Sequence, residues 1–305
     1  MIQIMQKTTK PKGLSKLWRE IKRSFKKVWR EIKRPFRQVR RIRSQQREDV
    51  MLKHCNDMVQ MLKTHYEGVM QQHYDDLARF VRRSISAAIL HKNSFSKFKN
   101  IHQGQEIVLV APGPSVKNYH IVDGAIHVGV NRAVLMENID FRYLFLGDYN
   151  EKQSYIKEVN QYKPQSCTKF YGLVDWSQQS IFPESDVIEA NALRFVISDP
   201  KDCKGEQCKF SHLIDSGPFL SSGSVAFYAM QFVLWTNPRT IYLVGCDCTE
   251  GYFDGYPKKF DATHFVPRWL ELKEFAELYY PETKILSINP VGLKGIFDEW
   301  EPPRK

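Results

Sequence analysis

Beyond Glu106 the chain repeats one pattern, a short and almost unbroken apolar run followed by a longer helical or polar stretch. The runs are Ile107–Val110, Ile126–Val130, Tyr143–Leu146, Lys169–Tyr171, Phe195–Ile197, Ile241–Val244 and Ile285–Ile288. A strand with one face in water alternates apolar and polar residues. These runs are apolar at consecutive positions, which requires cover on both faces of a sheet. Parallel pairing then follows, because each return passes through a long crossover. Two helices are predicted, Ser222–Trp235 and Pro267–Tyr280. The second has proline at its start and Pro281 just past its end, the usual boundary chemistry. The expected fold class is α/β: a Rossmann-like, mostly parallel sheet with helices on both faces, preceded by an N-terminal helical extension.

That extension is chemically distinct. From Lys10 to Arg43 there are fifteen Lys or Arg against Glu20 and Glu31, a local charge of +13. The whole chain carries +11, so the remainder is near −2 (11 − 13). Within the segment Lys16–Phe25 recurs as Lys27–Phe36, a shift of eleven residues. Eleven residues close three helical turns, so both copies face the same way. Leu14, Leu17, Trp18, Ile21, Phe25, Val28, Trp29, Ile32, Phe36 and Val39 form one apolar stripe, with Lys and Arg on the other face. Pro35 interrupts the helix near Ile32. Tryptophan and phenylalanine beside a cationic face suit the headgroup boundary of an anionic membrane. Nucleic acid needs no unbroken apolar stripe and is not expected as a partner.

Residues 44–105 read as a helical segment and linker. Met58, Leu62, Tyr66, Val69, Leu77 and Phe80 lie at nearly heptad spacing, with His73 interrupting. Core packing is the expected use of that stripe, and a homo-oligomeric stalk is the other reading. Asn93 to Gln105 is polar and reads as the linker into a domain spanning 106–305.

Hydrophobic residues make up 42% of the chain at a mean hydropathy of −0.45. That supports a buried core and excludes a multispan membrane protein. No apolar run reaches the roughly 18 residues of a membrane-spanning helix, and Met1 to Met5 is too short for a signal-peptide core. The expected location is cytoplasmic, peripheral at the inner face of the membrane. Cys55, Cys167, Cys203, Cys208, Cys246 and Cys248 are then reduced thiols, and their spacing does not suit a zinc site.

Five short motifs carry the candidate chemistry. Ile107–Val110 runs into Ala111-Pro112-Gly113-Pro114-Ser115, a strand and glycine turn that can present backbone N–H groups to a phosphate. An ordinary strand-to-helix turn is the alternative. Asn131 follows the second strand, where such folds bind ligands and where tight turns also place asparagine. Ser221-Ser222-Gly223-Ser224 opens a helix and reads as an N-cap with anion-binding capacity. The strand Ile241–Val244 ends in Gly245-Cys246-Asp247. Asp247 there can bind a ribose hydroxyl, hold a metal or brace the neighbouring loop. Thr249–Thr263 has the length and glycine content of a lid, and His264 just beyond it can serve as a general base.

The order of these motifs resembles that of the bacterial family 42 sialyltransferases, from about Glu106 to Asp298. The carriers are Gly113-Pro114-Ser115, Asn131, Ser221-Ser222-Gly223, Tyr242–Asp247 and His264. Pterin pyrophosphokinase-like and surface-polysaccharide proteins share the Gly-Pro-Ser opening. The resemblance implies a metal-independent, inverting transfer of sialic acid or a related acidic sugar from a CMP-activated donor. The acceptor would be a cell-surface glycan or lipid-linked saccharide. It implies donor contacts from Gly113, Pro114, Ser115, Asn131, Ser221, Ser222, Gly223 and Asp247, and catalysis by His264. Two departures stand out. Ala111 and Pro112 replace the first two residues of the family's Gly-Asn-Gly-Pro-Ser opening. Thr249 stands where the family has a tyrosine on the donor phosphate, which leaves Tyr252 or Tyr256 to reach in from the lid. The alternatives are an ATP-dependent pyrophosphokinase with Mg²⁺ on Asp148 and Asp247, and a membrane-bound scaffold without catalysis.

Overall fold

The computed structural model describes residues 22–24, 26–27, 44–147, 149, 155–174, 181–198, 210–249, 251–256 and 262–300. The chain divides into two compact units, Met1–Leu77 and Ala78–Lys305. In the first, residues 22–24 and 26–27 are helical. The rest of the basic repeat, with its apolar stripe, lies outside the described residues, as do Asp148, Cys203 and Cys208. Among the described residues no helix is long and apolar enough to cross a membrane.

One helix, α1 (Ser44–Phe95), runs through the stretch where one or two were expected. Its stripe is not core. Tyr66, Leu77 and Phe80 are 55%, 61% and 60% exposed, while Met58, Leu62 and Val69 are half-buried. A 3–4 spacing shows that a helix has an apolar face but not what covers it. Burial begins at Ala87 and is complete at His91 and Phe95. The stretch read as a linker also contributes, since Phe95 and Phe98 are buried core residues.

The second unit is a Rossmann-like sheet of eight strands, every pair parallel. The strands are β1 (Glu106–Val110), β2 (Ile126–Val130), β3 (Phe141–Leu146), β4 (Thr168–Val174), β5 (Leu193–Ile197), β6 (Thr240–Val244), β7 (Lys284–Ile288) and β8 (Asp298–Glu299). All seven expected strands are present, and the two-residue β8 was not anticipated. The order is β5-β4-β3-β2-β1-β6-β7-β8. The chain builds outward from β1 in one direction and then returns to add β6 on its other side.

Successive residues of β1 fall into two separate cores. Ile107 and Leu109 join α1's last turns, α4 (Val225–Trp235) and α5 (Val266–Tyr279). Val108 and Val110 join the cluster on the opposite face. Two short helices not read from the sequence, α2 (Ile156–Gln161) and α3 (Glu184–Glu189), pack there. The first core is dominated by aromatic rings. Phe170 stacks on Phe145 at 4.4 Å and on Phe95 at 5.3 Å, and Phe232 of α4 packs on Phe170 at 4.9 Å. Each such ring removes roughly 150–250 Å² from water, which makes these contacts the main hold on α4.

Strand β5 would leave an open edge. Its backbone is partly paired by Phe219, whose N–H donates to the Val196 carbonyl at 2.9 Å. Side chains of α1 do the rest. The His91 Nε2 accepts from the Val196 N–H at 2.8 Å, and the Ser94 hydroxyl donates to the Arg194 carbonyl at 2.6 Å. Covering an edge in this way blocks further strand addition.

Candidate functional site

Strand order reverses between β1 and β6, and in open parallel sheets that reversal opens a crevice beyond the strands' carboxyl ends. A cleft of about 380 Å³ lies there. Its walls come from the loop after β1 (Ala111, Pro112, Gly113), the end of β2 (Val130, Asn131), the start of α4 (Gly223 to Ala226), the loop after β6 (Gly245 to Thr249), and Tyr252, Ala262, Phe265 and Trp269.

The loops after β1 and β6 are clasped together. The Ala111 N–H donates to the Val244 carbonyl at 2.8 Å, extending the ladder, and the Gly113 N–H donates to the Gly245 carbonyl at 2.9 Å. A Cβ on Gly113 would sit 2.3 Å from that carbonyl oxygen and 2.7 Å from the Asp247 carboxylate. One on Gly245 would sit 2.0 Å from the Ala111 oxygen. Glycine is required here for the approach of the two loops, whereas the sequence suggested the approach of a phosphate.

Ser115 corrects the sequence reading. Its N–H donates to Asp247 Oδ2 at 2.7 Å, and its hydroxyl donates to Asp247 Oδ1. Asp247 is buried. Of its three candidate uses, the structure shows the third, bracing the neighbouring loop. Pro114 and Ser115 begin the 3₁₀ turn Pro114–Asn118 and do not line the cleft. The carboxylate at that turn's start takes the place that a phosphate was expected to occupy.

The helix start that lines the cleft is that of α4. Its N-cap is Ser224, whose Oγ accepts from the Ala226 N–H at 3.4 Å. Gly223 at φ +77° turns the chain into the helix, and a Cβ there would come within 3.0 Å of the Phe265 ring. The helix start is therefore pressed against the opposite wall. The Ala226 N–H is taken by the Ser224 cap and the Phe227 N–H by the Ser224 carbonyl at 3.2 Å, so what this wall offers an anion is the positive end of an eleven-residue helix dipole. Ser221 and Ser222 do not line the cleft. The Ser222 N–H donates to the Tyr228 hydroxyl at 3.2 Å, and its buried Oγ has no hydrogen-bond partner among the described residues.

Asn131 directly follows β2. It lines the cleft, and it adopts φ +48° to start the 3₁₀ turn Asn131–Leu135. Asparagine tolerates the left-handed region better than most residues.

Arg132, the next residue, is buried and pairs with Asp254 of the lid. Its Nε donates to Asp254 Oδ2 at 3.0 Å, and the guanidinium lies 4.3 Å from the Tyr256 ring and 5.8 Å from the Tyr252 ring. Burial is the largest single influence and pushes the Asp254 carboxyl upward, but the hydrogen bonds from Arg132 and from backbone N–H groups, with the Arg132 charge, together outweigh it and hold the group below the usual carboxylate range. The lid is also tied to the first loop, where the Phe253 N–H donates to the Pro112 carbonyl at 3.0 Å. Of the lid tyrosines, Tyr252 lines the cleft, and Tyr256 is 46% exposed and packs over Arg132.

His264 lies in the 3₁₀ turn Thr263–Phe265, directly before α5. It is exposed, and Ala262 and Phe265 on either side line the cleft, which puts it at the rim. Cys246 and Cys248 also contribute to the wall, with Cys248 at φ +51°. Burial, then the neighbouring Cys248 and Asp247, push the Cys246 thiol well above its usual range, which makes it a poor nucleophile. Among the described residues no group of three His, Cys, Asp or Glu side chains could hold a metal ion.

Ser224, Val225 and Ala226 were missed by one to three positions. The N-cap rule places the cap on the last serine before the apolar run, which is Ser224. Nothing local marked the Arg132–Asp254 pair, whose partners lie 122 residues apart.

No family model matches the sequence, and no curated protein matches it. Two solved structures are similar to it. One is the MAf glycosyltransferase from Magnetospirillum magneticum AMB-1, at 13% identity and a TM-score of 0.41, over 70% of this chain and 36% of that one. The other is the sialyltransferase CstII from Campylobacter jejuni with the substrate analogue CMP-3FNeuAc, at 12% identity and a TM-score of 0.38, over 65% of this chain and 86% of that one. The chain therefore spans about a third of the length of the first. Likeness at this level says nothing of chemistry, and what the cleft does is argued from its own residues.

Proposed function

We propose that the cleft binds a CMP-activated sugar and that the chain is a metal-independent, inverting glycosyltransferase acting on a saccharide acceptor. One observation carries the donor class: among the described residues no Lys or Arg lines the cleft, and the one charged side chain that does, Asp247, is already spent on Ser115. A nucleoside diphosphate brings two or three negative charges and needs a cation beside it. A CMP-activated acidic sugar brings one phosphodiester charge and, apart from it on the sugar, one carboxylate; the positive end of the helix dipole can balance the first. The volume suits a small nucleotide ligand, since such pockets run roughly 300–1,000 Å³.

In this reading the start of α4 faces the donor phosphate, Asn131 and Tyr252 contact the nucleotide, and Phe265 and Trp269 give it apolar cover. His264 at the rim takes the proton from the acceptor hydroxyl as that oxygen attacks the anomeric carbon. CMP leaves as a phosphate monoester, and its added negative charge develops against the helix dipole. The acceptor saccharide enters from the His264 side. The use of Asp247 as a brace also weakens the pyrophosphokinase alternative, which needs that carboxylate for Mg²⁺.

Thermal unfolding with CMP, UDP, GDP and ATP, each with and without Mg²⁺, tests the donor. Stabilisation by CMP that EDTA leaves unchanged is the expected result. Stabilisation by ATP only with Mg²⁺ gives the site to phosphoryl transfer, and no response to any nucleotide leaves a scaffold. His264→Ala should keep the CMP response and lose roughly 10²–10⁴-fold in transfer rate.

A further inference from the structure

The part of α1 before Ala87 has a core-type face without a cover of described residues. Leu52, Val59, Tyr66, Met70, Leu77 and Phe80 are each 55% to 64% exposed. At roughly 100° per residue these six fall within about 80° of arc, a single straight stripe. Farther along the helix, Ala87, His91 and Phe95 are buried. A lone helix of this length gains little from propensity and depends on burying such a face.

Two features of the sequence say what covers it. Residues 44–86 hold six Lys or Arg and six Asp or Glu, a net charge of zero beside the +13 of the preceding segment. An anionic lipid surface has no electrostatic pull on that stretch. The charges are also unevenly placed: three basic and six acidic residues over 44–77 give −3, and Arg79, Arg82 and Arg83 give +3 over 78–86. A parallel copy sets the two arginine clusters side by side, whereas a copy running the opposite way separates them and places each against residues 46–54, which carry no net charge. The area is also sufficient. Six side chains exposed to this degree offer on the order of 100 Å² each. With the half-buried Met58, Leu62 and Val69 they approach the roughly 800 Å² per partner of a stable interface.

We propose that this chain dimerises through α1, the stripe of residues 52–80 packing antiparallel against the same stripe of a second copy. Sedimentation equilibrium of the full chain over a dilution series should show a reversible dimer. Leu62→Glu with Tyr66→Glu, at the middle of the stripe, should make it monomeric and leave the melting of the sheet unit unchanged. Gln60→Glu, on the opposite face, should leave the dimer intact. A chain that is monomeric at every concentration overturns the proposal, and so does a dimer that survives the double variant. Wild-type binding to neutral phosphatidylcholine vesicles, lost in the double variant, would give the stripe to lipid instead. Cys55 lies on the stripe and is exposed. Rapid Cys55–Cys55 cross-linking on mild oxidation would overturn the antiparallel arrangement, because only parallel copies bring the two thiols together.

Discussion

Gly113 and Asp247 set the cleft's geometry together, and each predicts a different loss. Gly113→Ala must move either the Gly245 carbonyl or the Asp247 carboxylate, since its Cβ would lie 2.3 Å and 2.7 Å from them. Neither is the free end of a long side chain. Overpacking of that kind costs about 1–3 kcal/mol, which equilibrium unfolding should register. Gly217→Ala, where a Cβ meets nothing within 4 Å, should not. Asp247→Asn keeps the shape but takes one acceptor from Ser115. A strained or unpaired buried group costs about 1–3 kcal/mol, and the nucleotide response should fall with it, because the loop that forms the floor is no longer held. An Asp247→Asn protein as stable as wild type would remove the bracing role. These two residues were both visible in the sequence, as a glycine after one strand and an acid after another. Their partnership was not, because Ser115 and Asp247 are 132 positions apart and nothing local links them. The sequence therefore marked two loops that line the cleft but did not show that the donors of Ser115 meet Asp247.

At the scale of elements, the contact between α1 and β5 makes stability depend on pH. His91 is fully buried. Its Nδ1–H donates to the Ile214 carbonyl at 2.8 Å while Nε2 accepts from Val196, so the ring is held neutral. Burial lowers its pKa from 6.5 to about 4, against the raising influence of the hydrogen bonds to Ile214 and Val196 and of the Asp215 charge. Above pH 6.5 the ring is neutral in both folded and unfolded chains, and its contribution is complete. Below 6.5 the unfolded chain takes up the proton and the folded one does not, so stability falls until the pH reaches about 4. The full loss is about 3 kcal/mol. Denaturant unfolding at pH 7 and pH 4.5 should differ accordingly, and His91→Gln, which keeps a donor and an acceptor, should flatten that difference. An unchanged slope in the variant would assign the pH effect elsewhere. The lid behaves differently. Arg132→Gln removes the Asp254 pair and the cation over Tyr256, but Asp254 is near solvent and can turn outward. Amide exchange at Phe253 should rise many-fold with little change in global stability. Strands were legible here because each is apolar at consecutive positions. Helices α2 and α3 were not, since six residues are too few to establish a period. The end of α1 was hidden by the polar residues around Phe95 and Phe98, which masked two buried rings.

The whole chain separates its charge from its chemistry, and that separation leads to a last prediction. Fifteen cationic residues crowd into Lys10–Arg43, while the remainder carries about −2. Among the described residues no Lys or Arg lines the cleft. The basic segment is thus unnecessary for a phosphodiester donor, and its sequence suits a surface of negative headgroups. Each Lys or Arg near such a surface contributes roughly 1 kcal/mol, and Trp18 and Trp29 add apolar anchoring one repeat apart. The full chain should therefore sediment with phosphatidylglycerol vesicles and not with neutral ones. Its affinity should fall steeply with salt, because the Debye length shrinks from about 10 Å at 0.1 M to about 3 Å at 1 M. A chain starting at Ser44 should lose vesicle binding and keep the CMP response of the cleft. Trp18→Ala with Trp29→Ala should weaken binding at high salt more than at low, since the apolar share is the part that salt does not screen. Equal binding to neutral and anionic vesicles would contradict the electrostatic basis. Loss of the CMP response on removing residues 1–43 would mean that the two parts are not independent, and that the basic segment supplies the cation the cleft otherwise lacks.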